Sequence, residues 1–208
     1  MKRRTHMTEE GWLLSYADLI TNLLIFFAML LAAADINKSK MQQIQEAISG
    51  KEQPASLSSI QAEIEKKIAE EGLEELVGAE LTDAGLKLSL NSGLVFDSGS
   101  ATIRLETEPV LDRMLQTLVP YAEKYTFAVE GHTDHVPVNA GSAYPSNWEL
   151  SAARASAVRS RLEGVGVAEK RVRVEGYADT VPLPESELEG LTEVDRMARH
   201  RRVVVRVY

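Results

Sequence analysis

One carboxylate sits where carboxylates are costly. Residues 11–34 read GWLLSYADLITNLLIFFAMLLAAA, and Asp18 is the single charge in that run. About 20 consecutive apolar residues suffice for a helix to cross the hydrocarbon core of a bilayer, so the run predicts a span over residues 12–34. An ionised Asp at the centre of such a helix costs about 2.5–3.5 kcal/mol on insertion scales, and less towards an end. Asp18 lies in the N-terminal half, so it either snorkels to the near interface or faces a partner helix or wet path and carries protons or cations. Intramembrane carboxylates generally mark ion paths, which favours the second reading. A carboxyl withdrawn from water can change protonation state within a transport cycle. Asn22 is four residues on and shares the helix face of Asp18, and Thr21 adds a second polar group one turn away. A lone helix satisfies its own backbone but leaves Asp18 without neighbours. Partner helices are therefore expected, from further copies of the chain and from another protein.

The flanks of the run set its orientation. Lys2, Arg3 and Arg4 precede it, so the N-terminus is expected to stay in the cytoplasm and the chain from about Asp35 onward to be exported. Lys38 and Lys40 weaken that bias without reversing it. Trp12 and Tyr16 fall where an interfacial aromatic belt would form. A cleaved signal peptide is the competing reading, given the basic MKRR start, but the run is too long for a signal core and contains an acid.

Composition narrows the rest. The chain has 208 residues, a net charge of −8 and no Cys. It can hold neither a disulfide nor a thiolate metal site. The acidic balance argues against a nucleic-acid partner, which needs a basic face. No Ser/His/Asp constellation, phosphate-cradling Gly loop or metal cluster stands in a convincing context, so neither an enzyme nor a cofactor is expected.

After the span, Ile36, Met41, Ile44 and Ile48 give a partial helical stripe, ended by Gly50 and Pro54. A helix is predicted over residues 57–71, with Ser56 as N-cap and Gly72 as C-cap. Further on, strands are predicted at 86–90, 126–130, 171–175 and 202–207. Helices are predicted at 107–125, where Pro120 would kink the end, and at 148–162 with Asn147 as cap. Strands separated by helices predict an α/β (α+β) sandwich with helices on one sheet face. Trp148 is expected in the core, His132 as a packed and hydrogen-bonded residue, His135 on a loop surface, and the basic stretch 196–206 as a solvated edge strand unless it binds something.

Residues 129–158 read VEGHTDHVPVNAGSAYPSNWELSAARASAV. The pieces GHTD at 131–134, SNWELSAARA at 146–155 and RRV at 201–203, with LVFDSGSA at 94–101 upstream, resemble the OmpA/MotB-type peptidoglycan-binding domain over about residues 81–208. The longer loop 136–145, ending in YPSNWELS, and the span sequence WLLSYADLIT both resemble the MotB-type flagellar stator family. The resemblance implies that Asp134 and Arg154 hold the peptide of peptidoglycan. Asp134 would pair with the ammonium of diaminopimelate, and Arg154 would grip its carboxylate bidentately. Thr133, Asn147, Leu150 and Ser151 would shape the pocket, and Arg201 or Arg202 would add charge, with Arg202 counted in the expected site. Asp18 would be the ion-binding group, supported by Tyr16, Thr21 and Asn22. Tyr16 before Ala17 and Asp18 resembles proton-type members, though H+ and Na+ both stay open.

The implied organisation is a cytoplasmic start at 1–11, the span at 12–34, a plug-like amphipathic segment at 35–50, a linker with one helix at 51–80, and the OmpA-like domain at 81–208. The expected location is the bacterial inner membrane, with the domain in the periplasm. Expected partners are a MotA-type multi-span subunit, peptidoglycan and a second copy of the chain. Two alternatives stay open: a plain single-span wall anchor without ion flow, and an ion-driven motor serving a gliding or defence system.

Overall fold

The computed structural model describes residues 11–33, 56–139 and 141–208. They belong to two units, an N-terminal one that includes the first helix and a C-terminal one that holds everything from Ser56 onward. Helix α1 (Gly11–Ala33) covers the predicted span. Within it, Trp12–Met29 is long and apolar enough to cross a membrane. Its side chains from Trp12 to Met29 are exposed in the isolated chain, as expected of a helix whose apolar surroundings are lipid and other helices. The plug-like segment 35–50 lies outside the described residues.

The C-terminal unit is a five-stranded sheet with helices packed against it. Its elements are α2 (Leu57–Glu71), β1 (Val77–Thr82), β2 (Gly85–Asn91), the single turn α3 (Ser92–Val95), α4 (Glu108–Gln116), β3 (Phe127–His132), α5 (Asn147–Gly164), β4 (Val172–Ala178), α6 (Glu193–His200) and β5 (Arg202–Val207). The strand order is β1-β2-β5-β3-β4, with β3 and β4 parallel and the other neighbours antiparallel. Alternation along the strands sends Leu86, Leu88 and Leu90, Phe127 and Val129, and Val203, Val205 and Val207 to one face. There they meet Ile60, Ile64 and Ile68 of α2, Leu111 and Leu115 of α4, and Ala155, Val158 and Leu162 of α5 in one buried core. The predicted α/β sandwich is the observed fold. The opposite face is polar and partly roofed by residues 179–192, where Arg202 donates to the Val181 carbonyl at 3.1 Å.

Four expectations change. The linker assigned to 51–80 is largely domain. Ser56 caps α2 as predicted, accepting from the Ser59 N–H at 3.2 Å, and Gly72 closes it in the left-handed conformation. But Ile60 and Ile64 are fully buried, and residues 77–82 form β1, paired with β2. The folded unit therefore starts near residue 56, not 81. The long helix over 107–125 stops at Gln116, and Pro120 sits in a separate 3-10 turn over Val119–Tyr121. The stretch at 202–207 is a central strand, not a solvated edge. Trp148 is half exposed, at 51 %, rather than core.

Polar contacts hold α2 in place as well. Arg113 donates to Glu71 at 2.9 Å, the Tyr121 hydroxyl to Glu63 at 2.7 Å and Lys67 to Thr117 at 2.9 Å. The Glu63 bond pushes the Tyr121 hydroxyl up to about 12, helped by burial. If α2 belongs to the domain, Ile64→Ala in the full chain should lower unfolding stability by about 2–5 kcal/mol in a denaturant titration. A solvated linker helix would give almost no change.

Candidate functional site

Two glycines let helix α5 press onto the sheet. A Cβ at Gly131 would lie 2.0 Å from the Ser151 carbonyl oxygen, and one at Gly176 would lie 3.0 Å from the Ala152 Cβ. Ser151 is fully buried in this contact. Its hydroxyl donates to the Trp148 carbonyl at 2.9 Å and accepts from the Ala178 N–H at 3.2 Å. Ser146 caps α5 in place of the expected Asn147, accepting from the Trp148 N–H at 3.1 Å. The Asn147 amide is thereby free to donate to the carbonyls of Asp134 and Val136, at 3.3 and 2.9 Å, and it pins the loop that follows β3.

The result is a cavity of about 450 Å³ between the loop after β2 and the loop after β3. Asp134, Thr133, Asn147, Leu150 and Arg154 all line it, as do Asp97, Arg104 and Arg201. Asp134 is nearly buried, and its carboxylate is held from two sides: Oδ1 accepts from the Val136 N–H at 3.1 Å, and Oδ2 accepts from Arg201 Nη1 at 2.7 Å. The Thr133 hydroxyl donates to the Asp134 carbonyl at 2.9 Å, so it shapes the loop.

Arg154 is 4 % exposed and reaches across to the turn at 97–100. Its Nε donates to the Ser100 carbonyl at 2.8 Å and its Nη2 to the Asp97 carbonyl at 3.2 Å. Gly99 makes that turn possible by taking a φ of 67°. The guanidinium also lies 5.3 Å from the Phe96 ring centroid. Burial, then the like charge of Arg201, lowers the Arg154 pKa against the pull of Asp134, yet a guanidinium stays charged in proteins. Two backbone carbonyls thus fix the orientation of Arg154 without neutralising it, and Nη1 has no acceptor among the described residues.

Of the residues expected here, Ser151 and Arg202 do not line the cavity. Ser151 is a packing residue behind it. Arg202 points to the other sheet face, where it donates to the His200 and Val181 carbonyls at 3.3 and 3.1 Å. Arg201 is the arginine that reaches Asp134. Strand alternation is the signal that separates the two: residue 201 shares the parity of Val203, Val205 and Val207, which face α5. Arg104 and Asp97 are additions to the expected site, because no spacing in the sequence links them to Arg154.

In α1, Asp18 Oδ1 accepts from the Asn22 amide at 3.3 Å, so the two share a face as expected. The Thr21 hydroxyl instead donates to the Ala17 and Asp18 carbonyls at 2.9 and 3.0 Å. Tyr16 is exposed on the same helix.

Behind the site, His132 ends β3 and stacks on Tyr177 with ring centroids 5.3 Å apart. It is packed as expected, but neither ring nitrogen has a hydrogen-bond partner. Burial, with Arg202 and Lys87 nearby, lowers its pKa from the ordinary 6.5 despite Glu130. Burial alone would raise the Glu130 carboxyl. The His132 ring and the Arg206 guanidinium outweigh it and hold Glu130 below its ordinary value. The His132 contact, at 3.6 Å, is too long for a hydrogen bond, so Arg206, at 2.7 and 3.1 Å, carries that effect. Among the described residues no group of three His, Asp or Glu side chains is placed to hold a metal ion.

Two outcomes are expected. Gly131→Ala must displace α5 and should cost about 1–3 kcal/mol of stability by denaturant titration. Gly164→Ala, which meets open space, serves as the control. The second outcome concerns pH. A buried histidine with a lowered pKa stabilises the fold fully above the unfolded value of about 6.5, and that stability is lost as pH falls below it. His200, lowered by burial and by Arg202 and Arg196, acts in the same direction. The thermal midpoint should therefore fall between pH 7 and 5, and His132→Phe should flatten that slope. Glu130 adds a further loss below about pH 4.5, as its depressed carboxyl becomes protonated.

Comparison with known proteins agrees with this layout. Residues 95–192 match the OmpA family. Residues 1–51 match the family described as membrane MotB of the proton-channel complex MotA/MotB. Motility protein B of Bacillus subtilis is 26 % identical, over 98 % of this chain and 94 % of its own length. The solved cell wall anchor of the T6SS from Pseudomonas aeruginosa is 30 % identical with a TM-score of 0.59, covering 70 % of this chain and 96 % of that one. The periplasmic domain of Helicobacter pylori MotB is 25 % identical with a TM-score of 0.55, covering 63 % of this chain and 80 % of that one. The chain thus pairs an OmpA-family domain with an N-terminal segment that matches the MotB membrane family, the arrangement of the MotB type.

Proposed function

We propose that this chain is a stator subunit that couples ion flow through the membrane to mechanical work while its C-terminal domain holds peptidoglycan. The observation that carries the reading is the presence, in one chain, of an apolar helix bearing Asp18 and a cavity lined by Asp134, Arg154 and Arg201. Asp18 binds and releases a proton, or a sodium ion, and Asn22 touches its carboxylate. Each change of charge alters how a partner helix packs against α1. The partner is a multi-span subunit of the MotA kind, and a second copy of this chain completes the unit. The protein sits in the inner membrane with its N-terminus in the cytoplasm and the domain in the periplasm.

The cavity binds the stem peptide of the wall. An ammonium approaches the Asp134 carboxylate and shares it with Arg201, while the adjacent carboxylate meets the cavity-lining edge of Arg154. Because Arg154 Nε and one N–H of Nη2 are already engaged with carbonyls, Nη1 and the second Nη2 N–H are left to receive it.

The 30 % identity to a T6SS wall anchor favours a second reading, a single-span anchor without ion flow. Asp18→Asn separates the two. In the stator reading, ion flux through the assembled complex and motility both disappear while wall binding persists. Flux and function that survive Asp18→Asn would leave the anchor reading in its place.

A further inference from the structure

The cavity holds more positive charge than the zwitterionic end of one amino acid needs. Three guanidiniums, Arg104, Arg154 and Arg201, line it with two carboxylates, Asp97 and Asp134. Arg201 is matched by Asp134 at 2.7 Å. Arg154 spends its hydrogen bonds on neutral carbonyls, so its charge has no direct counter-ion among the described residues. Arg104 meets Asp97 through Nε alone, at 2.9 Å, and its side chain is about one-third exposed. Among the described residues neither of its Nη groups has an acceptor.

Arg104 and Arg154 are held by the same residue. Arg154 Nη2 donates to the Asp97 carbonyl, and Arg104 Nε donates to the Asp97 side chain. The two guanidiniums therefore flank one residue of the 97–100 turn and both face the cavity. A ligand with a single carboxylate satisfies only one of them. Because both guanidiniums are anchored on Asp97 and line one cavity, a ligand with carboxylates on two neighbouring residues can engage both.

We infer that Arg104 is a specificity-determining residue that takes a second carboxylate, on the residue next to the one held by Asp134 and Arg154. The inference rests on the wall-binding reading and names which wall peptide the site prefers. In peptidoglycan stems the γ-linked glutamate before the diamino acid carries a free α-carboxylate in some walls and a carboxamide in others. Arg104 favours the free acid. An amide presents an N–H₂ group and no charge to a guanidinium.

The test uses the full chain in detergent and two muropeptides that differ only at that position, acid or amide, titrated calorimetrically. Wild type should bind the acid roughly three- to tenfold more tightly, the range of a partly exposed charge-assisted contact. Arg104→Gln should erase the preference, so that acid and amide bind the variant with the same Kd. Equal binding of acid and amide by wild type overturns the inference without needing a variant. A preference that survives Arg104→Gln also overturns it. If either result occurs while the peptides still bind, the wall-binding reading stands. If neither peptide binds at all, both that reading and this inference fall.

Discussion

At Gly131 the backbone of β3 runs so close to α5 that a methyl group there would lie 2.0 Å from the Ser151 carbonyl oxygen. That closeness fixes the relation between the loop after β3, which carries Asp134, and the first turns of α5, which carry Asn147 and Arg154. Asn147 then ties the loop to the helix through two carbonyls. Ser151 ties the helix to the end of β4 through the Ala178 N–H. A site on loops would ordinarily be loose. Here the loops hang from a sheet and a helix that cannot separate without exposing the core that includes Phe127, Val129, Ala155 and Val158.

The charges follow from that frame. A buried guanidinium is costly unless its donors are satisfied, and the turn at 97–100 supplies two carbonyls to Arg154. Carbonyls meet the hydrogen-bonding need without cancelling the charge. The site therefore keeps an anion-seeking group oriented in advance. Asp134 is treated the opposite way, since its carboxylate is bonded directly to Arg201. In the proposed reading an incoming ammonium would have to share that carboxylate with Arg201.

Much of this is legible in residue patterns, and the departures have physical causes. The α2 helix can be read from its isoleucine spacing and its two caps, because caps and periodicity are local. That α2 is core cannot be read locally, since burial depends on the sheet it meets. β1 is hard to see because VGAELT alternates weakly and includes a glycine. The motif residues Asp134, Arg154 and Asn147 stand out because their segments are distinctive. The choice between Arg201 and Arg202 turns on the parity of the last strand, which residue type alone does not reveal. Arg104 and Asp97 reach the site through the fold alone, from a stretch thirty or more positions before Asp134. Trp148 suits a core by residue type, but its place on the first turn of α5 leaves it half exposed.

Because α2 and β1 belong to the domain, only residues 34–55 join span to fold, a stretch whose extended reach is at most about 80 Å at 3.3–3.6 Å per residue. The proposed function requires that the cavity grip the wall. Sedimentation of the full chain, in detergent, with purified peptidoglycan sacculi tests this most directly. The account predicts that wild type pellets with the sacculi and that Arg154→Gln, still folded by circular dichroism, stays in the supernatant. A folded Arg154→Gln that pellets as well as wild type would contradict it.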